Sequence, residues 1–575
     1  MVEAVPQTSL SVTRKRWIVA PVMNEAARPY LSEYPRPLQQ VLYNRGVRSA
    51  EEASEYLRGE YREASDPFLL SGMREAVKRI HLAIVRHEQI AVYGDYDVDG
   101  VTATALLTQV FVSLGADMIP YIPNRFEEGY GLNVQAVHEL KERGVCVVVT
   151  VDCGIRSSIE AEVARELGLD LIITDHHEPG DEIPNAFAVI NPKQPGDLYP
   201  EKYLAGVGIA YKLAVALMSL FPVEAALPEE DLLDLVALGT VADVAPLKGE
   251  NRSLVRRGMR QLRSPRRPGI IELIRVSSVN PSRLTSTDIG FRFGPRLNAA
   301  GRIQSAWAAY ELLVSNDHNQ IEQLANLLNE QNEERQNMTR SMHKTGVAIV
   351  EALPALPSVI FVVQPDFNHG VVGLVASRLV ESFYRPSIVG KQEDGVIRAS
   401  CRSIKGFDIH AALEQCSDLL LRFGGHAMAA GITIQTDMVP AFIQRMNQIA
   451  AEVLKPEDLI KTIAVDAAIP LSEATMELVK KMDLMQPTGA EAPPALWMTR
   501  NCQVISTRAV GKEEAHLKLY LGDGTARVNA IAFGFGHLLS EGPLEKVDVV
   551  YTVDINEYNG NVSVQLMVED IRCAC

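Results

Sequence analysis

The sequence predicts an α/β protein: a parallel-sheet domain joined by a long helix to a smaller α/β domain, followed by a C-terminal β-barrel of OB-fold size. Three observations carry this. From about Met73, short apolar runs alternate with helical periods, which implies a parallel sheet covered on both faces. The alternation restarts near Ser358, after a long helix-like stretch. Past about Lys455 the pattern turns to short alternating strands with Gly-Asp-Gly and Asn-Gly turns, as in a small closed barrel.

Taken in order, residues 1–75 form an N-terminal extension, polar with helix-like pieces in "PLQQVLYNRGV" and "SAEEASEYL". Residues 76–304 form the first α/β domain. "MREAVKRIHLAIVRHE" opens it as a helix, "IAVYGD" is a short strand, and "VTATALLTQVFVSLG" is a helix ending at Gly115. "VCVVVTVD" and "LDLIITD" are further strands, separated by the helix "IEAEVARELG". A helical stretch runs from about Tyr211 through "DLLDLVALGTVADV". Residues 305–350 read as a connecting helix, 351–455 as the second α/β domain, and 456–575 as the barrel. In the second domain "SVIFVVQ" and "PSIVG" are strands around the helix "GVVGLVASRLVESF", and a glycine cluster, "FGGHAMAAG", precedes the strand "ITIQT".

A chain of 575 residues is too long for one core. At 47% hydrophobic and 22% charged it has the composition of a globular protein. It contains no run of ~18 apolar residues, so no membrane span is expected, and no secretory signal at its start. Seven scattered cysteines without a C-x-x-C pair point to reduced thiols in a cytoplasm. The net charge of −16 argues against indiscriminate coating of nucleic acid, but leaves room for an enzyme that places its cations locally.

The chemistry concentrates where apolar strands end. Asp95, Asp97 and Asp99 follow "IAV"; Asp152 follows "VVVTV"; Asp175, His176 and His177 follow "LIIT". Ligand sites in open parallel sheets lie beyond the carboxyl ends of the strands, so one edge receives all of them. Asp243 closes the ring from a helix end. Clustered carboxylates repel one another unless cations or water offset them. Oxygen-rich ligands with imidazole suit Mg²⁺ or Mn²⁺, and the number of carboxylates is enough for a pair of ions. The Asp-x-Asp-x-Asp-Gly run is not an EF-hand loop: a strand precedes it and its twelfth position is Leu106 rather than Glu.

"GDYDVDGVTATALL", "VTVDCGI", "ITDHHEPG" and "LGTVADVAPL" resemble the four successive motifs of the DHH phosphoesterase superfamily. "GPRLNAAGRI", "NHGVVGLVASRL", "RASCRS", "GFDIHAAL", "FGGHAMAAG" and the terminal "NEYNGNVSVQLMVEDIR" are similar to its RecJ branch, with a DHHA1 lobe and an OB domain. The resemblance covers roughly residues 40–575. It implies a metal-dependent, single-strand-specific 5′→3′ DNA exonuclease that releases 5′-mononucleotides in repair and recombination. The metal ligands carried over are Asp97, Asp99, Asp152, His176 and Asp243, with Asp95 and His177 beside them. The sequence departs from the pattern at Tyr93, where many relatives have His, at Asn368, which takes a usual His position, and in the linker "MQPTGAEAPPAL".

On the substrate side, the resemblance assigns Arg125, Ser400 and Arg402 to gripping a nucleic-acid end and Arg335 to contacting the strand. Arg296 and Arg302 flank "GPRLNAAGR", whose small residues allow close backbone approach. Gly424, Gly425 and His426 would form a glycine-lined floor with an imidazole for the phosphoryl charge. Tyr520, Phe533, Phe535, Tyr551 and Tyr558 are the barrel aromatics, some for stacking on bases and most for its core. Single-strand selectivity would come from a passage between the lobes too narrow for a duplex. The expected cofactors are two Mn²⁺ or Mg²⁺ ions. The expected partners are single-stranded DNA, a single-strand-binding protein and a helicase, with no membrane and a monomeric chain. The competing readings are a DHH phosphodiesterase acting on short oligoribonucleotides or cyclic dinucleotides, and a non-catalytic scaffold that keeps the fold. The OB domain and long connector argue against the first, and the complete ligand set against the second.

Overall fold

Five short strands, apolar and largely buried on both faces, build the first sheet. In spatial order they are Met118–Tyr121, Ile90–Gly94, Val147–Val151, Asp170–Thr174 and Ala188–Ile190, all parallel. The structure is a computed structural model that describes residues 10–58, 65–125, 128–129, 131–222, 227–303, 305–558 and 561–574. The strand order reverses at Ile90–Gly94, so the switch point falls between that strand and Val147–Val151. A crevice opens at such a point beyond the strand ends. The helices Val98–Ser113 and Gly206–Met218, buried along nearly their whole length, pack on one face, and Val134–Glu142 with Ser158–Glu166 on the other.

The helix after the first strand starts at Val98, three residues earlier than the apolar run suggests. Asp97 is its N-cap: Oδ1 accepts from the backbone N–H of Asp99 (2.9 Å) and Gly100 (3.1 Å), a role for which aspartate is well suited. The capping bond fixes the Asp97 carboxylate at the strand end and draws Asp99 into the first helical turn.

The chain divides into two compact units, each discontinuous in sequence. One contains Ala50–Glu333 and Leu484–Pro494, with the parallel sheet. The other contains the residues through Ser49, then Glu334–Asp483 and Ala495–Cys575. The expected 305–350 connector is two helices, Trp307–Val314 and His318–Glu351, because Asp317 turns its side chain onto the backbone of Asn319 (2.9 Å) and starts a new helix. The unit boundary lies within the second of these.

The second α/β sheet has the order Arg422–His426, Ala429–Gln435, Val396–Arg402, Ser387–Glu393, Ile360–Gln364. The glycine cluster is a β-hairpin here, with "RFGGH" paired to "AAGITIQ" across Ala427 and Met428. Beyond it, Trp497–Val510 pairs with both His516–Gly522 and Lys546–Tyr558, and Arg527–Ala532 pairs with Asn561–Cys573. These pairings close a five-stranded barrel. A four-residue strand, Arg16–Val19, lies parallel to Thr462–Val465, so the N-terminal stretch is sheet as well as helix. Among the described residues no helix is long and apolar enough to cross a membrane.

Candidate active site

Three strand ends and one helix end bring seven predicted residues together. Asp152, His176 and His177 form one group whose ligand atoms lie within 4.8 Å of one another; Asp99, His176 and Asp243 form a second; Asp95, Asp97 and Asp152 a third. Asp152 and His176 are each shared by two groups, so the three groups form one continuous cluster. His176 Nε2 stands 3.0 Å from Asp152 Oδ1, 3.8 Å from Asp99 Oδ2 and 3.9 Å from Asp243 Oδ2.

The local chain conformation serves this convergence. Asp152 leaves its strand with φ +62°, a left-handed conformation that aspartate tolerates better than most residues. Asp99 is held by the N-terminus of the helix Gly206–Met218: Oδ2 accepts from Gly206 N (2.7 Å) and Oδ1 from Val207 N (2.8 Å). A Cβ at position 206 would lie 2.7 Å from Asp152 Cβ and 2.8 Å from its Oδ1. A Cβ at Gly239 would lie 2.8 Å from Asp99 Oδ1. These two glycines make room for the carboxylates. Gly206 carries no signal in sequence beyond a glycine in an apolar run, and Gly239 lies within the motif "LGTVADVAPL", which does not show what it faces.

Asp175 also belongs to the site. It is buried, its Oδ2 accepts from Ile155 N (2.9 Å), and its Oδ1 accepts from the backbone of His176 and His177. Oδ1 also lies 2.8 Å from His177 Nδ1, which sets the orientation of that ring. Tyr93 stands apart: its hydroxyl donates to Gly131 O (2.9 Å) within the core.

The electrostatics are those of a cluster lacking positive charge. Burial, then the Asp97 carboxylate, pushes Asp95 upward and Asp99 to about 7. Burial, then Asp99 and Asp97, raises Asp152 and Asp243. Burial and the adjacent His177 lower His176 to about 3, so it is the neutral imidazole a metal requires. Burial also opposes the charge on His177, but its bond to Asp175 outweighs this and raises it. Asp95 Oδ1 and His176 Nε2 are buried without a hydrogen bond among the described residues. Oxygen donors plus neutral imidazole, mutually destabilised and with buried atoms unsatisfied, fit Mn²⁺ or Mg²⁺.

Arg125 and Arg302 border this cluster. The Arg125 guanidinium lies 5.1 Å from the Tyr96 ring centroid, and both arginines act electrostatically on Tyr96. A Cβ at Gly301 would lie 3.0 Å from Tyr96 O, so the Gly294–Ile303 helix approaches the aspartate loop closely. Arg296 is engaged inside the protein: it donates to Asn329 Oδ1 (3.0 Å) and to the carbonyls of Arg292 (2.8 Å) and Val276 (3.5 Å). These bonds tie neighbouring helices together.

The remaining predicted residues lie in the other unit. Arg335 is partly buried on the long helix. Ser400 and Arg402 share one face of their strand, the opposite face being the buried Ile397, Ala399 and Cys401. A Cβ at Gly373 would lie 3.0 Å from Arg402 Nη2 and 3.4 Å from Ser400 Oγ, which places both beside the start of the Val372–Phe383 helix. Cross-strand register aligns His426, Ala429 and Arg402 in one row and Gly424, Gly431 and Ser400 in the next. Gly425 has φ +143° and faces the other side, where a Cβ would lie 2.5 Å from Ala430 Cα. Packing against Ala430 therefore requires glycine at this position. In the barrel, Tyr551 is core, its hydroxyl 2.8 Å from Thr499, and Phe535 is buried; Phe533 is 55% exposed. The side chain of Tyr558 lies outside the described residues.

Residues 89–240 match the DHH family, N-terminal domain; 356–452 match the DHHA1 domain; 465–570 match the RecJ OB domain. The chain is 41% identical to the single-stranded-DNA-specific exonuclease RecJ of Bacillus subtilis, over 92% of its own length and 67% of the relative's. It is 37% identical to that of Escherichia coli, over 94% and 96%. The crystal structure of RecJ in complex with Mn²⁺ from Thermus thermophilus is similar at a TM-score of 0.84 and 29% identity, covering 97% of this chain and 80% of that one. A Mg²⁺ complex from the same organism gives a TM-score of 0.78 and 28% identity. Matching domains in the same order, and identity along nearly the whole chain, show that it belongs to the RecJ family of single-stranded-DNA-specific exonucleases, metal-dependent enzymes of the DHH phosphoesterase type.

Proposed function

We propose that this chain digests single-stranded DNA from its 5′ end, releasing 5′-mononucleotides, with Asp97, Asp99, Asp152, His176 and Asp243 holding a pair of divalent cations. The observation that carries this reading is the convergence of these side chains in one cluster, where burial and neighbouring carboxylates raise Asp95, Asp99, Asp152 and Asp243 around a neutral imidazole. When bound, such cations lower the pKa of a water and stabilise charge developing on a phosphoryl group. The chain's own residues do the rest. Asp175 fixes the ring of His177, and the Gly206–Met218 helix end fixes Asp99. Arg125 and Arg302 offer fixed positive charge beside the aspartate loop, where phosphate oxygens accumulate charge. Ser400, Arg402 and His426 hold phosphate on the second sheet, and Phe533 offers a stacking surface in the barrel.

The domain limits suggested by sequence, 76–304, 351–455 and 456–575, frame these roles. The proposed setting is a reducing cytoplasm, in DNA repair and recombination, with a single-strand-binding protein and a helicase as companions and the chain acting as a monomer. Six free cysteines among the described residues support the reducing compartment.

The test is digestion of single-stranded DNA and RNA, each labelled at either end, with Mn²⁺ or Mg²⁺. The expected result is immediate release of labelled mononucleotide from 5′-labelled DNA only. Release first from the 3′ end would overturn the polarity. Faster turnover of a dinucleotide than of a long strand would favour the short-substrate phosphodiesterase.

A further inference from the structure

The face of the second sheet that carries Ser400 and Arg402 extends by one more row. In register, Arg422, Thr433, Arg398 and Lys391 lie side by side across four strands. The row therefore sits two residues beyond Gly424, Gly431 and Ser400, and four beyond His426, Ala429 and Arg402. At ~3.3 Å per residue the two basic rows are ~13 Å apart, too far to share one phosphate.

The middle row has no side chain at its two glycines. Neither needs to be glycine for packing: a Cβ at Gly424 would meet nothing within 4 Å, and one at Gly431 only Ala399 O at 3.9 Å. Neither has a left-handed φ. Packing and conformation thus leave the bare floor unexplained, whereas a chain lying across it would require it.

The outer row is unassigned by anything above. Among the described residues no hydrogen bond or ion pair engages the side chains of Arg398 or Arg422, whereas Lys391 is bound by Glu393 (2.9 Å). Exposed arginines are commonly just solvated. These two, however, line a common pocket of about 440 Å³ with His369, Ser400, Gly424 and Gly431. His369 Nε2 is buried there without a hydrogen-bond partner among the described residues. Burial, then Lys391 and Arg398, hold its pKa below the ordinary value, with Glu393 acting in the opposite direction. Its neighbour Asn368, which takes the usual histidine position, spends its Oδ1 accepting from Gly370 N (2.8 Å). The imidazole of this segment is thereby displaced by one residue, to the pocket wall.

We propose that Arg398 and Arg422, with His369 at their edge, form a second phosphate subsite, across the glycine floor from Arg402 and His426, that takes an internal phosphodiester of a single strand. The two guanidinium groups supply planar donors for phosphate oxygens, and His369 Nε2, without a hydrogen-bond partner among the described residues, supplies a further donor in its Nε2–H tautomer. The inference rests on the nucleic-acid reading above and adds to it residues that would set register along the strand.

The experiment measures binding of the full-length protein with Mg²⁺ to single strands ending in 5′-phosphate or 5′-hydroxyl, with terminal phosphorothioate linkages to slow digestion, over a range of salt. For R398A/R422A, affinity at low salt should fall about tenfold or more, equally for both strand ends. The slope of log K against log salt should flatten by about 0.7 for each phosphate no longer neutralised. R398K/R422K should keep the wild-type slope. An unchanged slope in the alanine variant would overturn the subsite. A loss confined to 5′-phosphorylated strands would also overturn it, by making the bound group terminal. Failure of the wild-type protein to bind either strand would instead remove the nucleic-acid reading, and the subsite with it.

Discussion

The carboxylate cluster and the basic sheet face are built on opposite plans. The cluster is largely buried, and its carboxylates are held close by a helix end and by glycines that leave no room for a methyl group. The face is exposed, its cations stand in separate rows, and its floor glycines have open space above them. Glycine in the first region is dictated by what the protein packs against; in the second, by what it leaves uncovered. A site for small ions must be set to fractions of an ångström before they arrive, whereas a track for a polymer needs only spacing and access.

The largest expected effect breaks the first region. Asp152→Ala removes a carboxylate shared by two of the groups and should lower turnover by several orders of magnitude with the fold intact. A variant folded by circular dichroism that keeps more than a tenth of wild-type activity would show that Asp152 is no ligand. Gly206→Ala tests the same region without touching a ligand. Its Cβ would push on the Asp152 carboxylate, and a displacement approaching 1 Å can cost ~10²-fold. The same change at Gly424, with nothing within 4 Å, should leave stability unaltered in thermal melts.

A third prediction moves to the exposed face. Arg402→Ala should lower kcat/KM about ten- to a hundredfold on 5′-phosphorylated strands, the loss of a charge-assisted contact of ~1.5–3 kcal/mol. The loss should be much smaller on 5′-hydroxyl strands. Equal losses on the two would mean that Arg402 holds an internal phosphate or the sheet itself. The smallest effect belongs to the barrel. Phe533→Ala should weaken single-strand binding by ~1–3 kcal/mol without lowering the melting temperature, and Tyr551→Ala should do the reverse, since only the first ring is exposed.

Much of this was legible in the sequence because its signals are local. Apolar runs such as "VVVTV" and "LIIT" announce buried parallel strands, and acidic residues placed after them announce the occupied edge. What escaped depends on distant partners. Gly206 and Gly239 matter through the carboxylates they face, a fact that no window around either contains. The strand Arg16–Val19 is four residues long and half exposed, and its partner lies far along the chain. The atypical 485–495 linker gave no pattern to read, yet Arg252 donates to the carbonyls of Met485 (2.8 Å) and Pro487 (2.7 Å), and Arg256 to that of Leu484 (2.9 Å). Its ordering comes from backbone acceptors, which any sequence presents. The bond from Arg296 to Asn329 is likewise invisible in sequence, since an arginine in a functional motif looks the same whatever its donors reach.

The pairing of Arg16–Val19 with Thr462–Val465 bears on the order in which the protein is made. Val12 N also donates to Ile571 O (2.9 Å), and Trp17 Nε1 to Asp570 Oδ2 (2.8 Å), so this early stretch takes its partners from residues translated long after it. During synthesis the segment between, Ala50–Glu333, emerges complete but for its small 484–494 piece, and can fold while the first strand waits. Every residue of the acidic cluster thus leaves the ribosome hundreds of residues before the other unit is fully synthesised. A chain truncated before residue 456 would lose more than a barrel: it would carry an orphaned N-terminal strand, with Trp17 and Val19 stripped of their cover, open to pairing with other chains.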